Sequence, residues 1–229
     1  MLPTLLIPGL VCTPELFAPQ IAPLWARGPV MVASTLVGTS MAEMATAILA
    51  DAPPRFALGG FSMGGYVALE ITRRAPHRVA KLALLDTSAR PDAPEQSEGR
   101  RAAIKRAQDG DYDAVLAELA PKLLHPDHGD DAILLGTQIR MGLAAGSDAF
   151  ARQQTAIIGR IDSRPHLRDI AVPTLVLVGD QDGVTPPDRA AEIASTVRGA
   201  RLEIITGAGH LSTLEQPEAV AEALTAWLR

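Results

Sequence analysis

The sequence predicts an α/β fold, a mostly parallel open sheet flanked by helices and interrupted once by a helical insertion. Three observations lead there. Short, nearly continuous apolar runs alternate with segments of helical spacing, the pattern of strands covered on both faces. Between about Arg100 and Ile161 the strand signals stop and only helical patterns and turns remain. The length, 229 residues with 47% apolar and 21% charged, suits one large domain whose core needs no disulfide or metal to hold it.

The elements follow in order. Thr4–Ile7 is a short strand stopped by Pro8-Gly9, and Thr13-Pro14 then caps a helix that runs towards Trp25. Val30–Leu36 reads as a second strand. Ser40-Met41-Ala42-Glu43 forms a capping box ahead of Met44, Ile48 and Leu49, which fall at helical spacing. Phe56–Phe61 is a third strand, Gly64–Ala75 a helix and Val79–Asp86 a fourth strand. Ala89–Gly99, rich in Pro, Asp, Glu and Ser, reads as a loop that opens the insertion. Strands resume at Pro173–Gly179 and Arg201–Thr206, with a helix beginning near Pro187 between them and an amphipathic helix at Pro217–Leu228. The core is therefore expected at 1–89 and 169–229, and the helical insertion at 90–168.

Composition excludes several classes. A net charge of −5 argues against a nucleic-acid surface, and 3% aromatics leave little for stacking bases or sugars. One cysteine, Cys12, forms no internal disulfide and reads as loop packing. Met1–Pro8 has no basic region and reads as a strand rather than a signal peptide, and no run is long enough to span a bilayer, so a cytoplasmic protein is expected.

The chemistry centres on Gly60-Phe61-Ser62-Met63-Gly64-Gly65, placed where a strand ends and a helix begins. In this G-x-S-x-G elbow the chain turns sharply, the flanking glycines avoid clashes, and the serine is raised towards the helix N-terminus. A Gly-rich turn with an ordinary capping serine is the bland alternative. Partners in the order serine, acid, histidine support catalysis. Gly179-Asp180-Gln181-Asp182-Gly183 follows one late strand, and Gly207-Ala208-Gly209-His210-Leu211 follows the next. All three groups thus fall in loops at the carboxyl ends of strands, where open α/β sheets bind ligands. His210 is the expected base and Asp182 the expected acid, lying deeper in its loop than Asp180, which reads as a loop cap. Asp86, at the end of the fourth strand, is a rival acid. The backbone N–H groups of Met63 and Leu10 are the expected oxyanion donors. His125-Pro126-Asp127-His128 resembles metal-ligand material, but its Pro and the following Gly129 favour a solvated loop. His77 closes the helix after Ser62, and His166 has no assignable partner.

With these residues in place, the sequence resembles the α/β-hydrolase superfamily over most of its length. The stretch Ile170-Ala171-Val172-Pro173-Thr174, then Asp182, Gly209-His210-Leu211-Ser212 and Glu215-Gln216-Pro217, resembles its small esterase and lactonase branch, which includes pimeloyl-carrier-protein methyl esterases and 3-oxoadipate enol-lactonases. The resemblance implies a helical cap over the active site, and carries the triad to Ser62, Asp182 and His210 and the oxyanion donors to Leu10 and Met63. Two departures stand out. Pro8-Gly9 replaces the usual His-Gly, and the usual leading hairpin is not seen, which would leave a sheet edge for a partner such as a second copy in a homodimer.

The expected activity is that of a serine hydrolase, with no cofactor or metal, acting on a small-to-medium carboxylic ester or lactone. Met141, Leu143, Ile157 and Ile158 are candidate pocket walls, though equally consistent with ordinary helix packing. Carbon–carbon bond hydrolysis or perhydrolysis could use the same triad, and a slow-turnover ligand-binding signalling protein is a different reading on the same fold. The acidic balance ranks thioesters of carrier proteins or coenzyme A below simple esters, with Lys105–Arg106 as a modest counter-signal.

Overall fold

The computed structural model describes residues 1–229. Its elements in chain order are β1 (Thr4–Ile7), α1 (Ala18–Trp25), β2 (Val30–Val32), α2 (Met41–Asp51), β3 (Phe56–Phe61), α3 (Met63–Arg74), β4 (Val79–Leu85), α4 (Pro94–Arg106), α5 (Tyr112–Leu119), α6 (Ala132–Ala145), α7 (Ser147–Ile158), β5 (Thr174–Gly179), α8 (Pro187–Thr196), β6 (Arg201–Ile205), α9 (Ser212–Glu215) and α10 (Pro217–Trp227). The strands form one six-stranded sheet in the order β2-β1-β3-β4-β5-β6. Every neighbouring pair is parallel, in agreement with the predicted fold class.

The strands are apolar throughout because both faces are covered. Side chains alternate across the sheet, so Leu82 and Leu84 of β4 join a core of 28 buried residues with α2, α3 and α8. Ala83 and Leu85 of the same strand point the other way, into a core of 21 residues with α1 and α10. The chain passes from β1 out to the edge at β2 and then returns to the other side of β1 as β3. The carboxyl ends of β1 and β3 therefore flank the topological switch point, the crevice where open α/β sheets place their ligands.

Between β4 and β5 lie the four helices α4 to α7. They share a small core of their own, six buried residues that include Tyr112, Leu116 and Phe150 together with Val11 from the core loop. No helix is long and apolar enough to cross a membrane.

Two local expectations are corrected. The second strand ends at Val32 and not Leu36, because the next residues are claimed by α7: Gln153 donates to the carbonyl and hydroxyl of Thr35, and Arg152 to the carbonyl of Leu36. The polar stretch Ala89–Gly99 is not wholly loop. Helix α4 starts inside it at Pro94, a residue suited to the first helical position, and the Gln96 side chain accepts the Ala93 N–H at 2.9 Å. Its acidic residues form an exposed helical face, which composition alone does not separate from a loop.

Candidate active site

Ser62 sits between β3 and α3 with φ 53° and ψ −116°, a conformation that costs a non-glycine residue about 1–3 kcal/mol. The surroundings enforce it. The Ser62 N–H donates to the Leu85 carbonyl at 2.9 Å, and its carbonyl accepts from Gly65 N–H at 2.9 Å and the Thr87 hydroxyl at 2.7 Å. The flanking glycines are obligatory through close approach. A β-carbon on Gly60 would lie 2.3 Å from the Gly64 carbonyl oxygen, and one on Gly64 would lie 2.1 Å from that of Ile7.

The structure brings the three residues expected to cooperate into one chain of hydrogen bonds. Ser62 Oγ and His210 Nε2 are 2.8 Å apart, and His210 Nδ1 and Asp182 Oδ2 are also 2.8 Å apart. Asp182 additionally accepts the N–H groups of Val184 and Thr185 at 2.8 and 2.9 Å and the Thr185 hydroxyl at 2.8 Å. A carboxylate has no proton to give, so His210 carries its own on Nδ1 and leaves Nε2 to accept from the serine hydroxyl. Burial by itself would raise the Asp182 carboxyl, but the charge and hydrogen bond of His210 and the Thr185 donors outweigh it, and the net direction is down. Burial likewise disfavours imidazolium at His210, yet the Asp182 charge and hydrogen bond prevail, with smaller help from Asp86 and Glu215, and hold it above 6.5.

The histidine loop is tied from a distance. His210 and Leu211 both donate their N–H groups to the carbonyl of Leu123, in the helical insertion. Glu215, whose side chain is fully buried, accepts the Gly209 N–H at 2.9 Å on one oxygen. Its other oxygen accepts the His125 N–H at 2.7 Å and lies 3.0 Å from His128 Nδ1. One carboxylate thus joins the base loop to the insertion. The role of Glu215 is invisible in the sequence because its partners lie up to 90 residues away. His125 and His128 are engaged in this junction, and His125 Nδ1 also accepts the Asp127 N–H at 3.0 Å.

The rival carboxylates stand elsewhere. Asp180 accepts the N–H groups of Gly207 and Ala208, at 3.0 and 3.3 Å. Asp86 accepts the Gly179 N–H at 2.9 Å and the Ser212 hydroxyl at 2.5 Å, so it ties the ends of β4 and β5 to the start of α9 and makes no hydrogen bond to His210. Complete burial, followed by the charge of Asp182, pushes its carboxyl well above the usual range.

The proposed oxyanion donors lie across the switch point. Met63 is the first residue of α3, so its N–H has no partner within the helix. The Leu10 N–H makes no hydrogen bond to any protein group. Val11 beside it is held at φ 47°, with its own N–H on Gln153 Oε1 at 2.7 Å. Cys12 is buried in the same loop, its Sγ 3.4 Å from the Leu10 carbonyl, and burial pushes its thiol up to about 12.

A cavity of about 110 Å³ opens at Ser62 and His210. The insertion supplies Leu119, Leu123 and Ile157 as apolar walls, with Gln138 and Gln154 among them. Of the four expected walls only Ile157 is present. Met141 is fully buried in the core, Leu143 is 50% exposed, and Ile158 is half-buried outside the cavity. Helical geometry explains the miss: with Gln138 facing the cavity, Leu143 five positions on lies about 140° round α6, and Ile158 is about 100° round α7 from Ile157. Another cavity, of about 210 Å³, lies behind α3 against Ile170–Val172 and holds none of these groups.

Comparison with known proteins agrees with this architecture. The family model described as alpha/beta hydrolase fold matches residues 39–217. A pimeloyl-[acyl-carrier protein] methyl ester esterase of Neisseria meningitidis (serogroup C, serotype 2a) is 30% identical over 168 residues, covering 71% of this chain and 65% of its own. The 3-oxoadipate enol-lactonase 2 of Acinetobacter baylyi is 26% identical over 176 residues, covering 77% and 64%. The chain therefore spans a little under two thirds of the length of these curated relatives. A thermophilic esterase from Thermogutta terrifontis, solved with malate bound, superposes with a TM-score of 0.90 at 31% identity over 100% of this chain and 90% of that one.

Proposed function

The chain belongs to the alpha/beta hydrolase fold family, and on that premise we propose that it is a serine hydrolase of carboxylic esters and lactones working through an acyl-enzyme on Ser62. The observation that carries this reading is the unbroken relay from Ser62 Oγ through His210 to Asp182, each link 2.8 Å long, at the mouth of a partly apolar cavity.

The steps follow from the geometry. Ser62 Oγ attacks the substrate carbonyl carbon as His210 Nε2 takes its proton, and Asp182 steadies the imidazolium so formed. The carbonyl oxygen becomes an oxyanion between the Leu10 and Met63 N–H groups, each donor of this kind contributing about 3–4 kcal/mol to the transition state. His210 returns the proton to the departing alkoxide, which leaves as the alcohol, or stays tethered when the substrate is a lactone. Water then repeats the sequence on the acyl-enzyme and releases the acid.

The esterase and enol-lactonase names of the relatives support the choice of bond. The test is Ser62→Ala assayed on short-chain nitrophenyl esters and a panel of small lactones. Turnover is expected to fall by about 10⁴-fold or more with the fold intact by circular dichroism. A variant that keeps wild-type turnover would remove the mechanism.

A further inference from the structure

Five arginines that are scattered along the sequence, Arg90, Arg100, Arg160, Arg164 and Arg189, converge on one cavity of about 370 Å³. This cavity abuts the one at Ser62, and Tyr66, Arg100 and Val184 form a wall common to both. The acidic balance of the chain gives no hint of such a place. Nor is it the Lys105–Arg106 pair, which is neutralised by Asp109, Asp111 and Glu118.

The guanidiniums outnumber the carboxylates that pair with them. Arg90 is paired with Glu192, Arg164 with Asp162, and Arg189 lies 3.3 Å from Asp188. The remaining two guanidiniums share a single carboxylate: Asp92, its side chain 1% exposed, is 2.7 Å from Arg100 and 2.5 Å from Arg160. One guanidinium is thus left without a carboxylate of its own, beside the Ser62 cavity. It is also held in place. Arg160 donates to the Arg90 carbonyl and lies 4.4 Å over the Tyr66 ring. Arg100 is oriented by Asp92 at Nε and by Gln154 at Nη1, while its Nη2 donates to no protein group and the side chain keeps 22% exposure.

A fixed, partly dry guanidinium with donors to spare is a receptor for a planar anion, and the ordering it needs is already done. We propose that this cavity seats a free carboxylate carried by the substrate, so that the preferred substrates are half-esters of dicarboxylic acids. The inference rests on the ester and lactone reading above and extends it from the bond cleaved to the group recognised. One guanidinium without a carboxylate of its own suits a single carboxylate.

The test compares matched substrates of equal length, the monomethyl and dimethyl esters of glutaric and adipic acid. The wild-type protein is expected to favour the half-esters by roughly tenfold or more in kcat/KM. Arg100→Gln is expected to lower kcat/KM for the half-esters by roughly tenfold more than for the diesters, abolishing the preference, and Arg100→Lys, which keeps the charge, to retain part of it. Direct titration of glutarate and adipate into the wild-type protein by calorimetry gives a second readout, with binding lost in Arg100→Gln. Equal kcat/KM for half-ester and diester in the wild-type protein, or an equal fall on both in Arg100→Gln, overturns the proposal. If no ester is turned over at all, the hydrolase reading fails and calorimetry decides the anion site alone: binding that depends on Arg100 upholds it, and no binding sinks it.

Discussion

Ser62 and His210 meet at 2.8 Å, yet the two loops that carry them are built on opposite principles. The serine loop is fixed by its own residues and the core strands beside it. Two glycines packed against the backbone of Gly64 and Ile7, one strained φ and bonds to Leu85 and Thr87 hold it. The histidine loop is fixed by what lies far away: the Leu123 carbonyl, the Glu215 carboxylate and, through Ser212, Asp86. Ser62 is thus positioned by the core sheet itself, while His210 depends in part on ties that exist only once the insertion has packed. The lesson is one of dependence. The geometry of Ser62 should survive disturbance of the insertion, and that of His210 should not.

The sharpest way to probe the relay is at its far end. Asp182→Asn keeps the shape but removes the charge, and kcat should fall by about 10⁴-fold. The pH profile should move as well. His210 must be neutral to act, and in the wild-type protein its pKa is held above 6.5, so kcat/KM should fall as pH drops through a midpoint above that value. Without the Asp182 charge, burial dominates and the acid limb should shift to lower pH. An unshifted limb in Asp182→Asn would mean that the imidazole is not the titrating base.

A milder break targets the distant tie alone. Glu215→Gln leaves Ser62, His210 and Asp182 untouched but replaces one acceptor oxygen by an amide NH2, which then faces either the Gly209 N–H or the His125 and His128 donors at the junction between the histidine loop and the insertion. The expected result is a drop of about 10- to 100-fold in kcat with little change in KM, together with a melting temperature several degrees lower. Because Glu215 also helps hold the His210 pKa up, the acid limb should move slightly downward, which loss of packing alone would not produce. Labelling by a fluorophosphonate, which also needs the relay, should slow in parallel. The gentlest comparison is Leu143→Ala. Since that side chain is 50% exposed and outside the cavity, activity should stay within about twofold and stability within about 0.5 kcal/mol.

The same contrast marks how far the sequence could be read. The elbow, the order of serine, acid and histidine, and the parallel sheet follow from short-range patterns, and they are legible in the residues themselves. What escaped reading depends on partners far along the chain. Leu36 has strand-like neighbours, yet its carbonyl is taken by Arg152 of α7 and it never joins the sheet. Met141, Leu143 and Ile158 have the right polarity for a pocket wall, but the rotation of each cap helix is decided by packing, and it turns Gln138 and Ile157 to the cavity instead. Asp92 sits in a stretch that reads as polar loop, and only the fold brings Arg100 and Arg160 to the same carboxylate.

The insertion leaves the sheet after β4 and rejoins it at β5, two strands that pair directly with one another from Leu82 against Thr174 to Leu85 against Leu177. The ladder therefore closes in the same register whatever is spliced between its rungs, and doubling the length of the connection adds only about 0.6 kcal/mol of closure entropy. Such a chassis lets evolution, or a protein engineer, exchange the roof while keeping the engine beneath it. The one joint any replacement must reproduce is the foothold now supplied by Leu123 and His125, on which the base loop leans.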